Sequence, residues 1–293
     1  MAGAGAVRAI QNRIRSFQSA AKVTTAMQLV AASKMRRAQD RAISSRPYAD
    51  QLRAVLAHLS GYAAGADPSA LHPLLQQRPV RNFAFIHITA DRGLAGGLNS
   101  NMNRAGSALV LEHQPRVEHV SVVAVGRKGR DFFRRAGFPL LAEFTELGDY
   151  PGMPQILPIA RIVMDDYMSG AIDQVFIGYQ RFVNTAVQRP TVRQILPVTA
   201  PEGEAMLVDF LFEPSPEQLL ATLLPRYVEM QIYEAVLDAA ASEQSARMVA
   251  MQAATDAASE LVTDLTLTYN KARQELITGE LLDIVGGTAA LEK

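Results

Sequence analysis

Two stretches with neither glycine nor proline limit the folds open to this chain: Ala6 to Arg46 near one end and Arg226 to Thr278 near the other. Proline removes a helix hydrogen bond and glycine weakens a helix interior, so such runs point to long, uninterrupted helices. At 1.5 Å rise per residue the second would reach roughly 80 Å, more than a globular domain of this size needs. Charge separates the two ends. Residues 1–60 carry ten Lys and Arg against two Asp and Glu, a net +8, and residues 213–293 carry five against thirteen, a net −8. Ends of opposite sign are expected to lie against each other as one antiparallel rod, a shape suited to mechanical work rather than to catalysis.

Periodicity supports the rod. Ile10, Ile14, Phe17, Ala21 and Thr24, then Ala31, Met35, Ala38 and Ala42, recur at alternating steps of four and three, with only Gln28 breaking the row. That is a coiled-coil seam. Its small side chains allow close helix approach and bury little area. Pro47 is expected to kink or end this segment, with a continuation through Leu52, Val55 and Leu59. The other end carries Met230, Tyr233, Leu237 and Ala240, then Met251, Ala254, Ala258, Leu261, Leu265 and Ala272. Gln244 and Arg247 interrupt this second row, and polar seam residues commonly fix register.

The centre of the chain reads differently. Strand-like runs are Phe83–Thr89, His119–Val125 and Gln174–Tyr179, followed by Val192–Pro197 and Met206–Phe212. Helical patterns over Asn99–Glu112, Lys128–Ala136 and Gln155–Ser169 separate the first three strands. Such alternation predicts an α/β fold with a mainly parallel, Rossmann-like sheet covered by helices. The expected organisation is an N-terminal coiled-coil helix over 1–60, a linker over 61–79, a central α/β domain over 80–212 and a C-terminal coiled-coil helix over 213–293.

Several chemistries lack their residues. The chain has no cysteine, which removes disulfides and thiol-based metal, redox or nucleophilic sites. Its five histidines are scattered without paired spacing, so no metal site is expected. His87, inside an apolar strand, is expected to be a packed, hydrogen-bonded core residue. No serine stands in a G-x-S-x-G elbow. No stretch approaches the roughly 18 apolar residues of a membrane span. The opening Met1-Ala-Gly-Ala-Gly-Ala meets Arg8, Arg13 and Arg15 without an apolar core, so no secretory signal is expected. These features predict a soluble chain, or one peripheral to a membrane.

Two glycine-bearing turns invite an anion. Asp91-Arg-Gly-Leu-Ala-Gly-Gly-Leu-Asn99 follows the first strand and opens a helix, where free backbone N–H groups can cradle phosphate. Gly126-Arg-Lys-Gly129 ends the second strand. Neither completes a nucleotide fingerprint, and a tight structural turn is the plainer reading. A phosphate- or nucleotide-binding enzyme centred on Arg92–Asn99 stands as the alternative function. The basic cluster Lys34, Arg36, Arg37 and Arg41 fits a solvated face, an acidic protein partner or a nucleic acid. The last usually brings domain-wide positive charge and interleaved aromatics, and only 6% of residues here are aromatic.

Several segments resemble the γ subunit of F-type ATP synthases. Near the start these are Lys22-Val-Thr-Thr-Ala-Met27, Val30-Ala-Ala-Ser-Lys-Met-Arg-Arg-Ala-Gln39 and Ser45-Arg-Pro-Tyr48. The Asp91–Asn99 loop is similar to the family's central loop. Toward the end, Ala241-Ser-Glu-Gln-Ser-Ala-Arg-Met-Val-Ala-Met251, Ala253-Ala-Thr-Asp256, Tyr269-Asn-Lys-Ala-Arg-Gln274 and Ile277-Thr-Gly-Glu280 match closely. Two departures stand out: Ala95 where family members often have Cys, and Gly286-Gly287 where Gly-Ala is common. The resemblance implies a central rotor stalk, catalytically inert alone and without a cofactor. Both terminal helices would form an asymmetric antiparallel coiled coil inside a ring of α and β subunits. The α/β domain would lie near the ε subunit and the membrane c-ring, at the cytoplasmic face of the cell membrane. Carried over position by position, Met27, Lys34, Arg36 and Arg37 face β loops, and Arg273, Gln274, Thr278 and Glu280 form a second contact zone. The plainer alternative for each is an exposed helical residue pairing with the opposite arm, Arg37 or Arg41 with Glu260 or Asp264 being one such pair. The resemblance favours the acidic protein partner over nucleic acid.

Overall fold

The computed structural model describes residues 2–62, 72–199, 213 and 215–291. Helix α1 spans Ala2–Tyr62 and the last helix, α5, spans Pro216–Leu291. The chain divides into two compact units. One is made of Met1–Val30 and Met248–Lys293, and the other is Ala31–Arg247.

In the first unit the two helices meet along a heptad row. Val7, Ile10, Ile14, Phe17, Ala21 and Thr24 are less exposed than the residues between them. On α5, Met251 and Ala258 are buried, and Val262, Leu265, Tyr269, Ala272 and Leu276 are half-buried. The Thr24 and Thr255 hydroxyls share a hydrogen bond of 2.6 Å, and Gln28 Nε2 donates to Gln252 Oε1. Since the α1 number rises as the α5 number falls, the pair is antiparallel. Gln28 therefore completes the seam with a polar rung. One expected seam residue is misplaced: Leu261 is 43% exposed and Val262 takes its position. Both choices obey the three–four spacing, and the Thr24–Thr255 contact selects the phase.

The second unit is a five-stranded sheet. Its elements are β1 (Asn82–Ile88), α2 (Leu98–His113), β2 (His119–Val125), α3 (Arg127–Arg135), β3 (Leu140–Phe144), α4 (Met153–Met168), β4 (Gln174–Phe182) and β5 (Gln188–Leu196). Strand order is β3-β2-β1-β4-β5, parallel except for the antiparallel β4–β5 pair. The reversal of order between β1 and β4 is the Rossmann-like switch point. Side-chain alternation along β1 builds two cores. Phe83 and Phe85 pack with Met102, Val110, Val122 and Phe133 under α2 and α3. Ala84, Ile86 and Ile88 join α4 and parts of α1 and α5 on the other face.

Three sequence expectations change. Helix α1 does not end at Pro47. The missing N–H and ring clash cost roughly 3 kcal/mol, but Ala49, Leu52, Leu56 and Leu59 just beyond are at most 5% exposed. Burying a leucine contributes about 1.5–3 kcal/mol, enough for three of them to hold the helix through the proline. Val55, expected in this row, is instead 41% exposed. Strand β3 had no counterpart in the pattern: it is a five-residue edge strand whose alternation is only half-buried against exposed. The expected strand Met206–Phe212 lies outside the described residues. Of the expected linker, residues 63–71 also lie outside them, while Pro73–Leu75 forms a 3-10 turn whose Leu74 is fully buried.

Candidate functional site

The glycine loop sits at the carboxyl ends of β1 and β2, where ligands bind in many sheets of this type. Here its own chain occupies the anion-binding groups. Helix α3 begins with three N–H donors, and each has an acceptor. Arg127 N donates to Asp91 Oδ1 at 2.9 Å, Lys128 N to Ala90 O at 3.2 Å and Gly129 N to Thr89 Oγ1 at 2.7 Å. Asp91 Oδ2 also accepts from Glu146 N at 2.9 Å, and Asn99 Oδ1 accepts from Ala90 N at 3.1 Å. Gly126 has φ +93°, and a Cβ there would lie 2.0 Å from Thr89 O. The glycine allows two strand ends to touch. The neighbouring cavity, bordered by Thr89, Asn99, Gly126, Gln180 and Glu243, measures about 60 Å³. Ligand pockets commonly run to roughly 300–1,000 Å³. This arrangement fastens loops together and does not cradle a nucleotide.

His87 is fully buried, and its Nε2 donates to Asn103 Oδ1 at 2.8 Å. Burial lowers its pKa to about 4, with the Asn103 bond opposing in part. Gly106 and Gly129 leave the space that its ring fills. It is a packing residue, as expected.

The segment around Ala241–Arg247 carries a role that periodicity did not reveal. Ser242 Oγ donates to Gln180 O at 2.9 Å and Ser245 Oγ to Thr185 O at 2.7 Å. Arg247 Nη2 donates to Gly93 O at 3.3 Å and pairs with Glu243 at 2.7 Å. Gln180 Nε2 in turn reaches Leu98 O at 2.7 Å. Ser242 and Ser245 are wholly buried and Gln244 is 4% exposed. Burial raises the Glu243 pKa, against the opposing pull of Arg247. So these polar residues tie α5 to the sheet end and to the glycine loop. The sequence signal was available: serine has poor helix propensity, and serine and glutamine side chains on the inward face of a helix need hydrogen-bond partners when buried.

The basic cluster is partly engaged within the second unit. Lys34 Nζ is 2.7 Å from Asp149 Oδ2, and Arg41 Nη1 donates to Tyr150 O at 2.9 Å. Arg37 and Arg41 lie 5.9 and 5.0 Å from the centre of the Tyr150 ring. Glu260 and Asp264, offered as partners for Arg37 or Arg41, lie in the other unit, and both are exposed.

The eight expected partner-contact residues divide between the two units. In Ala31–Arg247, Arg36 and Arg37 are exposed and Lys34 is half-buried. In the other unit, Met27 is half-buried and Arg273, Gln274, Thr278 and Glu280 are all exposed on α5. Within that unit Met27 adjoins Gln28, whose partner Gln252 lies 21 residues before Arg273, roughly 30 Å along the helix.

Comparison with known proteins decides the family. The family described as ATP synthase matches residues 6–291. The chain belongs to the ATP synthase gamma family. It is 52% identical to the ATP synthase gamma chain of Dehalococcoides mccartyi over 288 residues, 97% of this chain and 99% of that one. The gamma chain of Roseiflexus castenholzii is 50% identical over 97% of this chain and 98% of its own length. Among solved structures, a chain from the central stalk and c-ring of the Tetrahymena thermophila mitochondrial ATP synthase superposes with TM-score 0.61 at 26% identity. That match covers 79% of this chain and 99% of the other. A chain of the Euglena gracilis mitochondrial ATP synthase has the same fold, with TM-score 0.66 at 19% identity over 98% of this chain and 95% of the other. Membership in the gamma family gives the fastening of the glycine loop its context: a scaffold element in a subunit of a larger enzyme.

Proposed function

We propose that this gamma-family chain is the central rotor stalk of an F-type ATP synthase. In this reading it couples ion-driven rotation of a membrane c-ring to conformational cycling of the catalytic β subunits, and it performs no bond-making chemistry itself. The observation that carries the reading is similarity to gamma chains at about half identity along nearly the whole length. Two features support it. An antiparallel helix pair free of glycine and proline over most of its length resists bending. Its seam joins half-buried apolar side chains with polar rungs at Thr24 and Gln28, and charged outer faces make shallow contacts that can break and re-form.

The partners are α and β subunits around the helix pair, with ε and the c-ring at the α/β domain. The functional division we assign is arms over 1–60 and 213–293, a linker over 61–79 and a central domain over 80–212. Met27, Lys34, Arg36 and Arg37 form one contact zone for β, and Arg273, Gln274, Thr278 and Glu280 the other. Charge complementarity at such contacts guides register more than it adds affinity. No helix among the described residues is long and apolar enough to cross a membrane, which fits peripheral attachment at the cytoplasmic face through other subunits.

Reconstitution tests this. Purified α and β subunits with this chain should assemble one copy per ring and show a sharp rise in ATP hydrolysis, with no turnover by the chain alone. Failure to assemble, or nucleotide turnover by the isolated chain, would overturn the rotor reading.

A further inference from the structure

A second cavity, of about 610 Å³, is lined only by residues of the Ala31–Arg247 unit. Four guanidiniums border it: Arg46 and Arg53 from α1, Arg181 from β4 and Arg193 from β5. Three carboxylates share the lining, Asp50, Glu234 and Asp238. Four cations against three anions leave the lining positive even when every carboxylate is ionised.

The pairing is uneven. Arg53 takes two of the carboxylates: Nη2 reaches both Glu234 oxygens at 2.7 and 2.8 Å, and Nη1 reaches Asp50 at 2.7 Å. Arg193 donates one Nη2 bond to Gln231 O at 3.1 Å and lies 5.8 Å from the centre of the Tyr179 ring, while its buried Nε has no acceptor. Arg46 and Arg181 are exposed, and no carboxylate among the described residues lies within ion-pair distance of either. The remaining carboxylate, Asp238, feels Arg181, Arg46 and Arg193 together; burial pushes its pKa up to about 6, against the pull of Arg181, so it is mostly ionised at pH 7. Three guanidiniums with spare donors thus border one hollow and share a single further carboxylate.

We propose that this cavity binds a small phosphate-class oxyanion, held by Arg46, Arg181 and Arg193. Guanidinium forks match phosphate oxygens two bonds at a time and lose little hydration on binding. The volume falls in the range of small-molecule sites and admits one such anion with its waters. The same donors would accept inorganic phosphate or the terminal phosphate of a nucleotide. This site is independent of the rotor reading, since none of its residues belongs to the proposed β-contact zones.

Calorimetric titration of the full chain with inorganic phosphate, at constant ionic strength with chloride as the replaced anion, tests the site. One saturable site per chain is expected. Arg46→Gln with Arg181→Gln should weaken it at least tenfold, and Asp238→Asn should tighten it severalfold at pH 7. Pyrophosphate and ADP then separate the sources. Tighter binding of ADP assigns the site to a nucleotide, and tighter or equal binding of pyrophosphate assigns it to inorganic phosphates. Heats that do not saturate would overturn the proposal. So would unchanged affinity in the double arginine variant with an unaltered melting temperature, because both arginines are exposed and removable without unfolding.

Discussion

The two units use the same pair of helices and hold them by different means. In Ala31–Arg247, α1 and α5 press leucines and valines into a sheet already covered on its other face, and most of their inward side chains are almost fully buried. In Met1–Val30 with Met248–Lys293, only Met251 and Ala258 among the described residues reach that degree of burial. There the seam mixes Ile10, Ile14, Phe17, Leu265 and Tyr269, all only half-buried, with alanine, threonine and glutamine, and hydroxyl and amide bonds cross it. Stability in the first case comes from removed apolar area. In the second it rests on helix propensity and a narrow contact. The lesson is that one helix can be a core element along part of its length and half of a two-helix pair along the rest, with the presence of a sheet against it setting how deeply its apolar side chains are buried.

The largest expected effect is at Gly126. Replacing it with Ala forces a Cβ against Thr89 O in a left-handed backbone, and the Ala31–Arg247 unit should lose at least about 3 kcal/mol. Urea unfolding followed by circular dichroism measures this, and a near-neutral result would contradict the tight-contact account of that loop. Next, Phe133→Ala should cost about 3–5 kcal/mol, because the ring is fully buried. Val262→Ala on the seam should cost about 0.5–1 kcal/mol, being only half-buried. Equal losses would erase the contrast between the units.

Acid sharpens it further, because both strongly shifted groups lie in Ala31–Arg247. Folded His87, with its pKa lowered to about 4, refuses a proton that the unfolded chain accepts below 6.5. Its contribution is therefore present above pH 6.5 and is lost as pH falls toward 4, by up to about 1.4 kcal/mol per pH unit. Asp238 runs oppositely. With its folded pKa raised to about 6, its contribution is fully present below 3.8 and is lost as pH rises through 6. The two partly cancel between pH 4 and 6. Asp238→Asn should raise the melting temperature at pH 7.5 and steepen its fall between pH 6 and 4; a profile parallel to the unaltered chain would refute the opposition. The smallest effect is a gain. Gly279 lies within α5 with open space where a Cβ would go, so Gly279→Ala should stabilise by about 0.5–1 kcal/mol in the same unfolding assay.

Most of the fold was legible because its elements carry strong periods. Strands β1 and β2 are rich in Phe, Ile and Val and hold no glycine or proline, and the α1 seam repeats over many turns. What escaped had competing solutions. Leu261 and Val262 both satisfy a heptad, and only a cross-helix contact separates them. Pro47 breaks a local rule that tertiary burial of Leu52, Leu56 and Leu59 overrides. Strand β3 is short and at an edge, so its pattern is weak. At the candidate site, the glycines were visible but their cause was not, since the approach of Gly126 to Thr89 joins positions 37 residues apart. The expected partner contacts on α1 and α5 came from resemblance, and their local periodicity carries no trace of a partner.

The anchors of α5 have a mechanical consequence. Ser242, Ser245 and Arg247 grip three carbonyls belonging to Gln180, Thr185 and Gly93. At about 100° per residue, their side chains leave the helix in directions spread around much of its circumference. A pull along the axis loads all three bonds together, in shear, and none can be peeled before the others. A twist about the axis stretches one anchor while it compresses another, so the helix is keyed against rolling in its seat.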